Sequence, residues 1–284
     1  MTLTTIQSIP ELRTHLEQRR VLGERVGLVP TMGFLHRGHT SLIKAAAAEN
    51  EIVVTSLFVN PLQFAESEDL TDYPRNLERD MELAEAAGSD LLFTPSVDEM
   101  YPFGPVLTSV SVTEISERWE GETRPTHFAG VATVVAKLFS IMGPCRAYFG
   151  EKDFQQLTII RRMAADLSMP VDVVGCPIVR EPDGLAMSSR NVYLNSAERA
   201  AACVLRRALD AGLEAIEGGQ RSAVAISTIM SDLVDAEPLA ELDYCAVVDA
   251  QTLEQHAILS GDIRLLVAAK IGRPRLIDNA GARI

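Results

Sequence analysis

Along the first two thirds of the chain, short apolar runs alternate with longer stretches in which apolar residues recur at helical spacing. The short runs have the length of buried strands and end at turn residues such as Asn60-Pro61. Strands that alternate with helices form βαβ units around a parallel sheet. The predicted strands are Val26–Pro30, Glu51–Val59, Asp90–Thr94, Cys145–Phe149 and Val171–Val174, with Val106–Val112 as a further candidate, and the predicted helices are one that ends near Asn50, Pro74–Ala87, His127–Met142 and Phe154–Leu167.

The pattern changes after about Asn191. Two amphipathic stretches, Ala197–Ile216 and Ala223–Val234, predict helices, and three strand-like runs follow them. We therefore expect an α/β protein with a Rossmann-like parallel-sheet N-terminal domain over residues 1–186. A smaller α+β C-terminal domain over residues 187–284 would act as a lid, and the boundary is placed to within about ten residues. The three runs are Leu242–Val248, Ile263–Ala269 and Arg275–Ile277.

Composition limits the class of protein. The 284 residues are 47% hydrophobic and 23% charged, which is ordinary for a globular protein with a buried core. A formal net charge of −13 argues against binding to nucleic acid, and no apolar run is long enough to cross a membrane. Met1–Pro10 lacks the pattern of a signal peptide, and the four cysteines have no CxxC spacing. We therefore expect a cytoplasmic protein with reduced thiols.

A turn rich in glycine and histidine follows the first predicted strand. It reads Pro30-Thr31-Met32-Gly33-Phe34-Leu35-His36-Arg37-Gly38-His39. In an open parallel sheet, ligands bind beyond the carboxyl ends of the strands, where a helix N-terminus presents N–H groups to phosphate. Because His36 and His39 are three residues apart, a helix that begins here directs both imidazoles to the same side. The alternative is a pair of surface histidines, but the preceding strand and the glycines favour a phosphate site.

Five segments together resemble a known family. The HxGH turn is similar to the signature of the nucleotidyltransferase superfamily that includes class I aminoacyl-tRNA synthetases, and the longer PTMGxLHxGH string resembles the pantothenate synthetase family. Four other segments match that family in order and spacing between about residues 20 and 200. They are Phe58-Val59-Asn60-Pro61-Leu62-Gln63-Phe64, Asp72-Tyr73-Pro74-Arg75, Tyr148-Phe149-Gly150-Glu151-Lys152-Asp153-Phe154-Gln155-Gln156 and Met187-Ser188-Ser189-Arg190-Asn191.

The resemblance implies an AMP-forming carbon–nitrogen ligase. Such an enzyme activates (R)-pantoate with ATP as pantoyl adenylate and then transfers the pantoyl group to β-alanine, with AMP and pyrophosphate as by-products. The resemblance also implies Mg²⁺ bound together with ATP, and a homodimer. His39, His36 and Lys152 would be the catalytic residues. The residues that would bind ATP are Met32, Gly33, Phe34, Leu35, His36, Arg37, Gly38, His39, Gly150, Glu151, Lys152, Asp153, Val179, Met187, Ser188, Ser189 and Arg190.

Two of these ATP-binding segments also have plainer interpretations. Around Lys152, the alternative is a solvated charge cluster in which Asp153 is the N-cap of the next helix. Residues 187–190 alone would be a polar loop. They stand where the superfamily has its KMSKS-type loop, and here they would bind the leaving pyrophosphate and couple ATP binding to lid closure. The metal ligands stay unknown, and Asp80 is a candidate that could instead be a solvated helix carboxylate.

Gln63 and Gln156 are the predicted pantoate- and β-alanine-binding residues. Their amides both donate and accept hydrogen bonds, which suits a substrate with hydroxyls and a carboxylate. This assignment rests mainly on the resemblance, because most glutamines are solvated. Asn60 could assist Gln63. Arg124 and His127 could line the same cavity, but Thr126 stands between them where the family usually has glycine.

Other functions remain open at this point. A second enzyme class is a nucleotidylyltransferase of the same superfamily, which leaves AMP on its product. A class I aminoacyl-tRNA synthetase is disfavoured, because the chain is short, acidic and without a basic anticodon-binding region. A non-catalytic nucleotide-binding module is the third alternative, and the retention of His39, Lys152 and Ser188-Ser189 favours an enzyme over it.

Overall fold

The computed structural model describes residues 3–64, 70 and 73–284, so Asp72 of the matched segments lies outside the described residues. The chain divides into two compact units. The first unit runs to Glu151 and resumes for Gln155–Pro177, and the second comprises Lys152–Phe154 and Ile178–Ile284. Three residues of the connection after a central strand therefore belong with the C-terminal part of the chain.

A six-stranded parallel sheet forms the centre of the first unit. Its strands within the described residues are β1 (Thr4–Ile6), β2 (Val26–Thr31), β3 (Ile52–Leu57), β4 (Leu91–Phe93), β5 (Cys145–Gly150) and β6 (Val171–Cys176), in the order β1-β4-β3-β2-β5-β6. The helices up to β6 are α1 (Ile9–Val21), α2 (Arg37–Glu49), α3 (Leu77–Ala87), α4 (Val97–Met100), α5 (Glu120–Thr123), α6 (His127–Met142) and α7 (Phe154–Asp166). The predicted Rossmann-like architecture is confirmed.

Helices cover both faces of this sheet because successive side chains of a strand point to opposite faces. Leu28 belongs to one buried cluster with Leu16 of α1. Its neighbour Val29 belongs to another cluster with Ile43 of α2 and Ala84 of α3. Strands that are buried on both faces read as continuous apolar runs, which is how β2 and β3 were recognisable in the sequence.

The second unit is a smaller α+β structure, as predicted. Its helices are α8 (Ser196–Ala202), α9 (Val204–Glu217) and α10 (Ala223–Asp235), and its strands are β7 (Ala240–Asp249), β8 (Asp262–Ile271) and β9 (Arg275–Arg283). The strands form an antiparallel sheet in the order β7-β8-β9. A separate hydrophobic cluster, which includes Leu209, Met230 and Val267, joins the helices to this sheet.

One predicted strand was wrong. Residues 106–112 lie in irregular structure rather than in a strand. The N–H of Val110 donates to Thr133 Oγ1 at 2.9 Å, so a side chain of α6 takes the bond that a neighbouring strand would make. Leu107 is 97% exposed, so its apolar side chain is not part of a core.

Several element boundaries also differ from the prediction. The helix expected over Ala197–Ile216 is two helices, with Cys203 between them. Helix α3 begins at Leu77 instead of Pro74, because the side chain of Asn76 accepts from the N–H of Arg79 and caps the helix there. Strand β9 extends to Arg283, and neither β1 nor α1 was predicted.

Among the helices of the described ranges, none is long and apolar enough to span a bilayer.

Candidate active site

The turn after β2 is held by a buried carboxylate. Asp80 on α3 is 2% exposed and accepts from the N–H groups of Phe34 and Leu35, with N···O distances of 2.7 and 2.6 Å. These bonds support a turn in which Gly33 (φ 86°) and Phe34 (φ 49°) both have left-handed backbone conformations. A Cβ at Gly33 would lie 3.1 Å from Asp80 Oδ2. Asp80 is therefore not a solvated carboxylate, and its interactions hold the turn.

His36 and His39 lie together at the start of α2. Their rings stack with centroids 4.0 Å apart, as the three-residue spacing predicts. The Nδ1 atom of His36 accepts from the N–H of Gly38, and that of His39 accepts from the N–H of His36. Because each Nδ1 is an acceptor, a neutral ring carries its proton on Nε2. Both imidazoles are therefore oriented as Nε2–H donors at a helix N-terminus.

Gln63 is held against the same turn by its neighbours. It is 9% exposed, and its Nε2 donates to Met32 Sδ at 2.7 Å. Asn60 donates through Nδ2 to Gln63 Oε1 and to the backbone carbonyl of Gly130 in α6. Tyr101 in turn donates to Asn60 Oδ1 at 2.8 Å. Burial raises the pKa of Tyr101 to about 12, so its hydroxyl stays protonated and can donate at neutral pH.

Helix α6 approaches this loop so closely that only glycine fits. A Cβ at Gly130 would lie 2.1 Å from the carbonyl oxygen of Leu62 and 2.7 Å from Gln63 Cα. Sequence analysis missed Gly130 and Tyr101, because both contact the loop of Asn60 and Gln63 from distant positions in the chain. A glycine inside a strongly apolar helix was the available signal, since a helix interior disfavours it unless another backbone packs there.

Arg124 and His127 also contact the Gln63 segment. Arg124 Nη2 donates to the carbonyl of Gln63 at 3.4 Å, and His127 Nδ1 lies 3.0 Å from the same oxygen. Thr126 between them has φ −95° and ψ −12°, so its φ lies outside the left-handed region that favours glycine. The backbone therefore does not require glycine at this position.

Of the adjacent glutamines in α7, Gln155 and Gln156, the first has a structural role. Gln155 Nε2 donates to the carbonyls of Ile115 and Arg118, and its Oε1 accepts from the N–H of Glu120. It thereby holds the loop before α5. Gln156, the predicted substrate-binding residue, is half-buried on the same helix.

The connection after β5 carries the predicted cation. Lys152 lies in the 3₁₀ turn Glu151–Asp153, with Nζ 3.4 Å from Asp153 Oδ1. Its side chain is 19% exposed, which agrees poorly with a freely solvated lysine. At the end of β5, a Cβ at Gly150 would meet no atom within 4 Å, so packing among the described residues does not require glycine there.

Residues 178–190 of the second unit form a hairpin-like segment. The N–H of Met187 donates to the carbonyl of Val179 at 3.0 Å, and Arg180 pairs with Ala186 as an antiparallel bridge. Ser188 Oγ accepts from the N–H of Arg190, so Ser188 caps the 3₁₀ turn Ser189–Tyr193. Two of the predicted ATP-binding residues, Val179 and Met187, thus lie side by side.

Within each unit the structure therefore brings several predicted residues together. In the first unit, Gln63 contacts Met32 at the start of the turn that leads to His39, and Arg37 is exposed. The second unit joins Val179 to Met187–Arg190. Across the described part of the chain, no three His, Cys, Asp or Glu side chains cluster in a way that could hold a metal ion.

Comparison with known proteins decides the family. A family model described as pantoate-beta-alanine ligase matches residues 4–281. The chain belongs to the pantoate-beta-alanine ligase family. A pantothenate synthetase of Roseiflexus sp. is 54% identical over 279 residues, and the alignment covers 98% of both chains. A pantothenate synthetase of Heliobacterium modesticaldum is 52% identical over 274 residues, covering 96% of this chain and 97% of the relative.

Solved structures of this family have the same fold. The crystal structure of pantothenate synthetase from Thermus thermophilus is 50% identical, with a TM-score of 0.92 and 98% of both chains covered. Pantoate-beta-alanine ligase from Francisella tularensis is 33% identical, with a TM-score of 0.79, and covers 98% of this chain and 97% of its own. That protein was crystallised in complex with beta-gamma ATP and beta-alanine.

Proposed function

We propose that this protein is a pantothenate synthetase, which joins (R)-pantoate to β-alanine and cleaves ATP to AMP and pyrophosphate. The match to the pantoate-beta-alanine ligase family over residues 4–281 carries the proposal. The ATP and β-alanine ligands of the Francisella relative support the same substrates here.

In the first step, a pantoate carboxylate oxygen attacks the α-phosphorus of ATP. The bond from the α-phosphorus to the bridging oxygen breaks, and pyrophosphate leaves with that electron pair. The Nε2–H groups of His36 and His39 would donate to the phosphate oxygens whose negative charge grows, and the N-terminus of α2 adds its positive dipole. Lys152 would supply the cation for the same charge. Each of these groups stabilises the transition state more than the ground state.

In the second step, the free amine of β-alanine attacks the acyl carbon of pantoyl adenylate. The acyl–oxygen bond breaks, AMP departs, and the nitrogen loses a proton as the amide forms. Adenylation is needed because a carboxylate is a poor acyl donor, whereas AMP is a good leaving group. The protein contributes mainly by positioning the amine and by excluding water, which would hydrolyse the intermediate.

ATP would lie along two glycine-containing segments of the first unit. Gly33 and the bent turn to Leu35 allow a close approach to the backbone, and the open space beside Gly150 fits the same role. Residues 187–190 would bind the departing pyrophosphate through hydroxyls and a guanidinium. Mg²⁺ would arrive bound to ATP and would neutralise part of the phosphate charge, while Asp80 would hold the turn through its bonds to two backbone N–H groups.

Pantoate would bind beside Gln63 and Gln156. The substrate has two hydroxyls and no ammonium, and amides match that pattern better than a carboxylate would. The side-chain amide of buried Gln63 donates to Met32 and accepts from Asn60, so its orientation is set before the substrate arrives. We expect Gln63→Ala and Gln156→Ala to raise the KM for pantoate at least about tenfold with an unchanged KM for ATP. Loss of ATP affinity with normal pantoate kinetics would exclude this assignment.

Pyrophosphate exchange tests the order of steps. Labelled pyrophosphate should enter ATP when pantoate is present without β-alanine, because adenylation precedes the amine. Addition of β-alanine should then release free AMP and pantothenate, which mass spectrometry detects. A requirement for all three substrates would contradict the two-step mechanism. A product that keeps AMP would instead identify a nucleotidylyltransferase, and binding of ATP without turnover would identify a binding module.

The lid and the homodimer complete the proposal. Hydrogen exchange at residues 187–191 should slow when ATP is added if this segment closes over phosphate, and identical exchange would contradict closure.

Phe103 and Leu107 are 96% and 97% exposed, which would suit burial against a second copy. Light scattering should give about twice the mass of 30.9 kDa for a dimer, and a monomer would refute it.

A further inference from the structure

Strand β9 carries two adjacent polar residues that are almost completely buried. Asp278 is 3% exposed and Asn279 is 2% exposed. Burial of a carboxylate and an amide is unfavourable unless each is hydrogen-bonded, so their partners indicate what they stabilise. Both residues belong to the second unit, and neither has a part in the reaction described above.

Asp278 anchors the hairpin-like segment 178–190. It forms a two-point ion pair with Arg180, with N···O distances of 2.6 and 3.0 Å. Arg180 Nη1 also donates to the carbonyl of Gly184 at 3.0 Å, and its backbone bridges to Ala186. The pair therefore ties the hairpin, with Val179 on one side and residues 187–190 on the other, to the last strand of the sheet.

Asn279 anchors Lys152. Its Nδ2 donates to the backbone carbonyl of Lys152 at 2.8 Å, while its Oδ1 accepts from Arg264 Nε at 2.7 Å. The guanidinium of Arg264 lies over the ring of Phe154, 4.1 Å from its centroid. The N–H of Asn279 also donates to Asp278 Oδ1 at 2.7 Å. One dipeptide thus connects Lys152 to the hairpin through hydrogen bonds within a single unit.

We propose that Asp278 and Asn279 are positioning residues for adenylation, which hold Lys152 and the hairpin with Val179 and Met187–Arg190 in one fixed geometry. This inference rests on the proposed function. Lys152 must face the α-phosphorus while the hairpin binds the pyrophosphate that leaves it. Displacement of a catalytic group by about 1 Å can lower a rate about a hundredfold, so the buried bonds have a catalytic consequence beyond stability.

Asn279→Asp is the sharpest single variant. It preserves size and keeps the acceptor for Arg264, but it places an oxygen instead of the Nδ2–H donor opposite the Lys152 carbonyl. Pantoate-dependent pyrophosphate exchange should fall at least about tenfold in kcat, while the KM for pantoate stays within about twofold. Asp243→Asn is the matched control, because it removes an ion pair with Arg275 on the same small sheet. Its exchange rate should equal that of the wild type.

A double-mutant cycle separates positioning from general destabilisation. In a Lys152→Ala background, Asn279→Ala should lower kcat by a much smaller factor than it does in the wild type, because the side chain positioned by its bond to the Lys152 carbonyl is gone. A purely structural role would lower both backgrounds by the same factor and overturn the proposal. If Asn279→Ala fails to fold, as judged by a missing thermal transition, the isosteric Asn279→Asp provides the same cycle.

The outcomes also distinguish this proposal from the proposed function. If the wild type shows no pantoate-dependent exchange, the proposed function fails, and this inference fails with it. If the wild type exchanges and a folded Asn279→Asp variant has normal kcat, only the positioning role of the dipeptide is refuted. A rise in the KM for pantoate with normal kcat would equally contradict it.

Discussion

Replacement of Asp80 by asparagine should loosen the turn that carries the two histidines. The carboxylate accepts from the N–H groups of Phe34 and Leu35 in a site that is 2% exposed, so water cannot substitute for a lost bond. Asparagine keeps one acceptor oxygen and turns an NH₂ group toward the other N–H. One charge-assisted hydrogen bond is then lost, and a buried donor is left without a partner.

The magnitude follows from those two contacts. A hydrogen bond to a charged group contributes about 1.5–3 kcal/mol, and an unsatisfied buried donor costs about 1–3 kcal/mol. Relaxation of Phe34 from its φ of 49° returns about 1 kcal/mol of backbone strain. We therefore expect Asp80→Asn to lower the free energy of unfolding by about 1.5–5 kcal/mol. Because the turn would also bind ATP, the KM for ATP should rise at least about tenfold.

Urea unfolding and steady-state kinetics measure the two effects. Glu78→Gln is the control, because Glu78 lies exposed in the same first turn of α3 and its loss should change stability by less than about 0.5 kcal/mol. A folded Asp80→Asn protein with wild-type stability and ATP kinetics would refute the role assigned to the carboxylate. If only the Mg²⁺ requirement changed, Asp80 would instead be a metal ligand.

Three further predictions concern other parts of the protein. Gly130→Ala should raise the KM for pantoate about tenfold or more and destabilise the fold by about 1–3 kcal/mol, because its Cβ would collide with Leu62; kinetics and urea unfolding test this, and normal values would contradict it. Lys152→Ala should lower the adenylation rate at least about a hundredfold in a protein that still melts cooperatively, and near-normal exchange would remove Lys152 from catalysis. Burial raises the pKa of the Cys145 thiol to about 12, so iodoacetamide at a pH of about 8 should leave Cys145 unmodified until urea unfolds the protein. Rapid labelling of Cys145 in the native protein, located by peptide mass spectrometry, would be inconsistent with its burial.

The elements that were predicted well are those whose signal is local. Strands β2 and β3 are continuous apolar runs because both faces of the parallel sheet are covered. Helix α6 was predicted from His127 to Met142 and has those bounds. By contrast, β1 has only three residues and α1 has only two fully buried leucines, Leu12 and Leu16. The apolar pattern of both elements is therefore too weak to be recognised within a polar N-terminal segment.

The two strand predictions that differ most show the limit of local pattern. The apolar and β-branched residues of the 106–112 segment suit a strand, yet Val110 bonds to Thr133 and no strand forms there. In β9 the reverse happens, because the pairing with β8 continues through Asp278 and Asn279, whose polar side chains gave no indication of burial. Strand pairing is decided by a partner that is distant in sequence, and residue type alone does not reveal it.

The sequence by itself determined the family, the parallel-sheet architecture and the residues that define the motifs. Strand periods, helix periods and the HxGH turn all depend on residues that are close together in the chain. Only the tertiary structure revealed that Asp80 holds the turn, that Gly130 permits the close approach of the Gln63 loop, and that Asn279 bonds to Lys152. Each of these contacts joins positions between 45 and 127 residues apart in the chain. Such contacts leave no local signature, since any buried polar residue or helix glycine looks the same until its partner is in place.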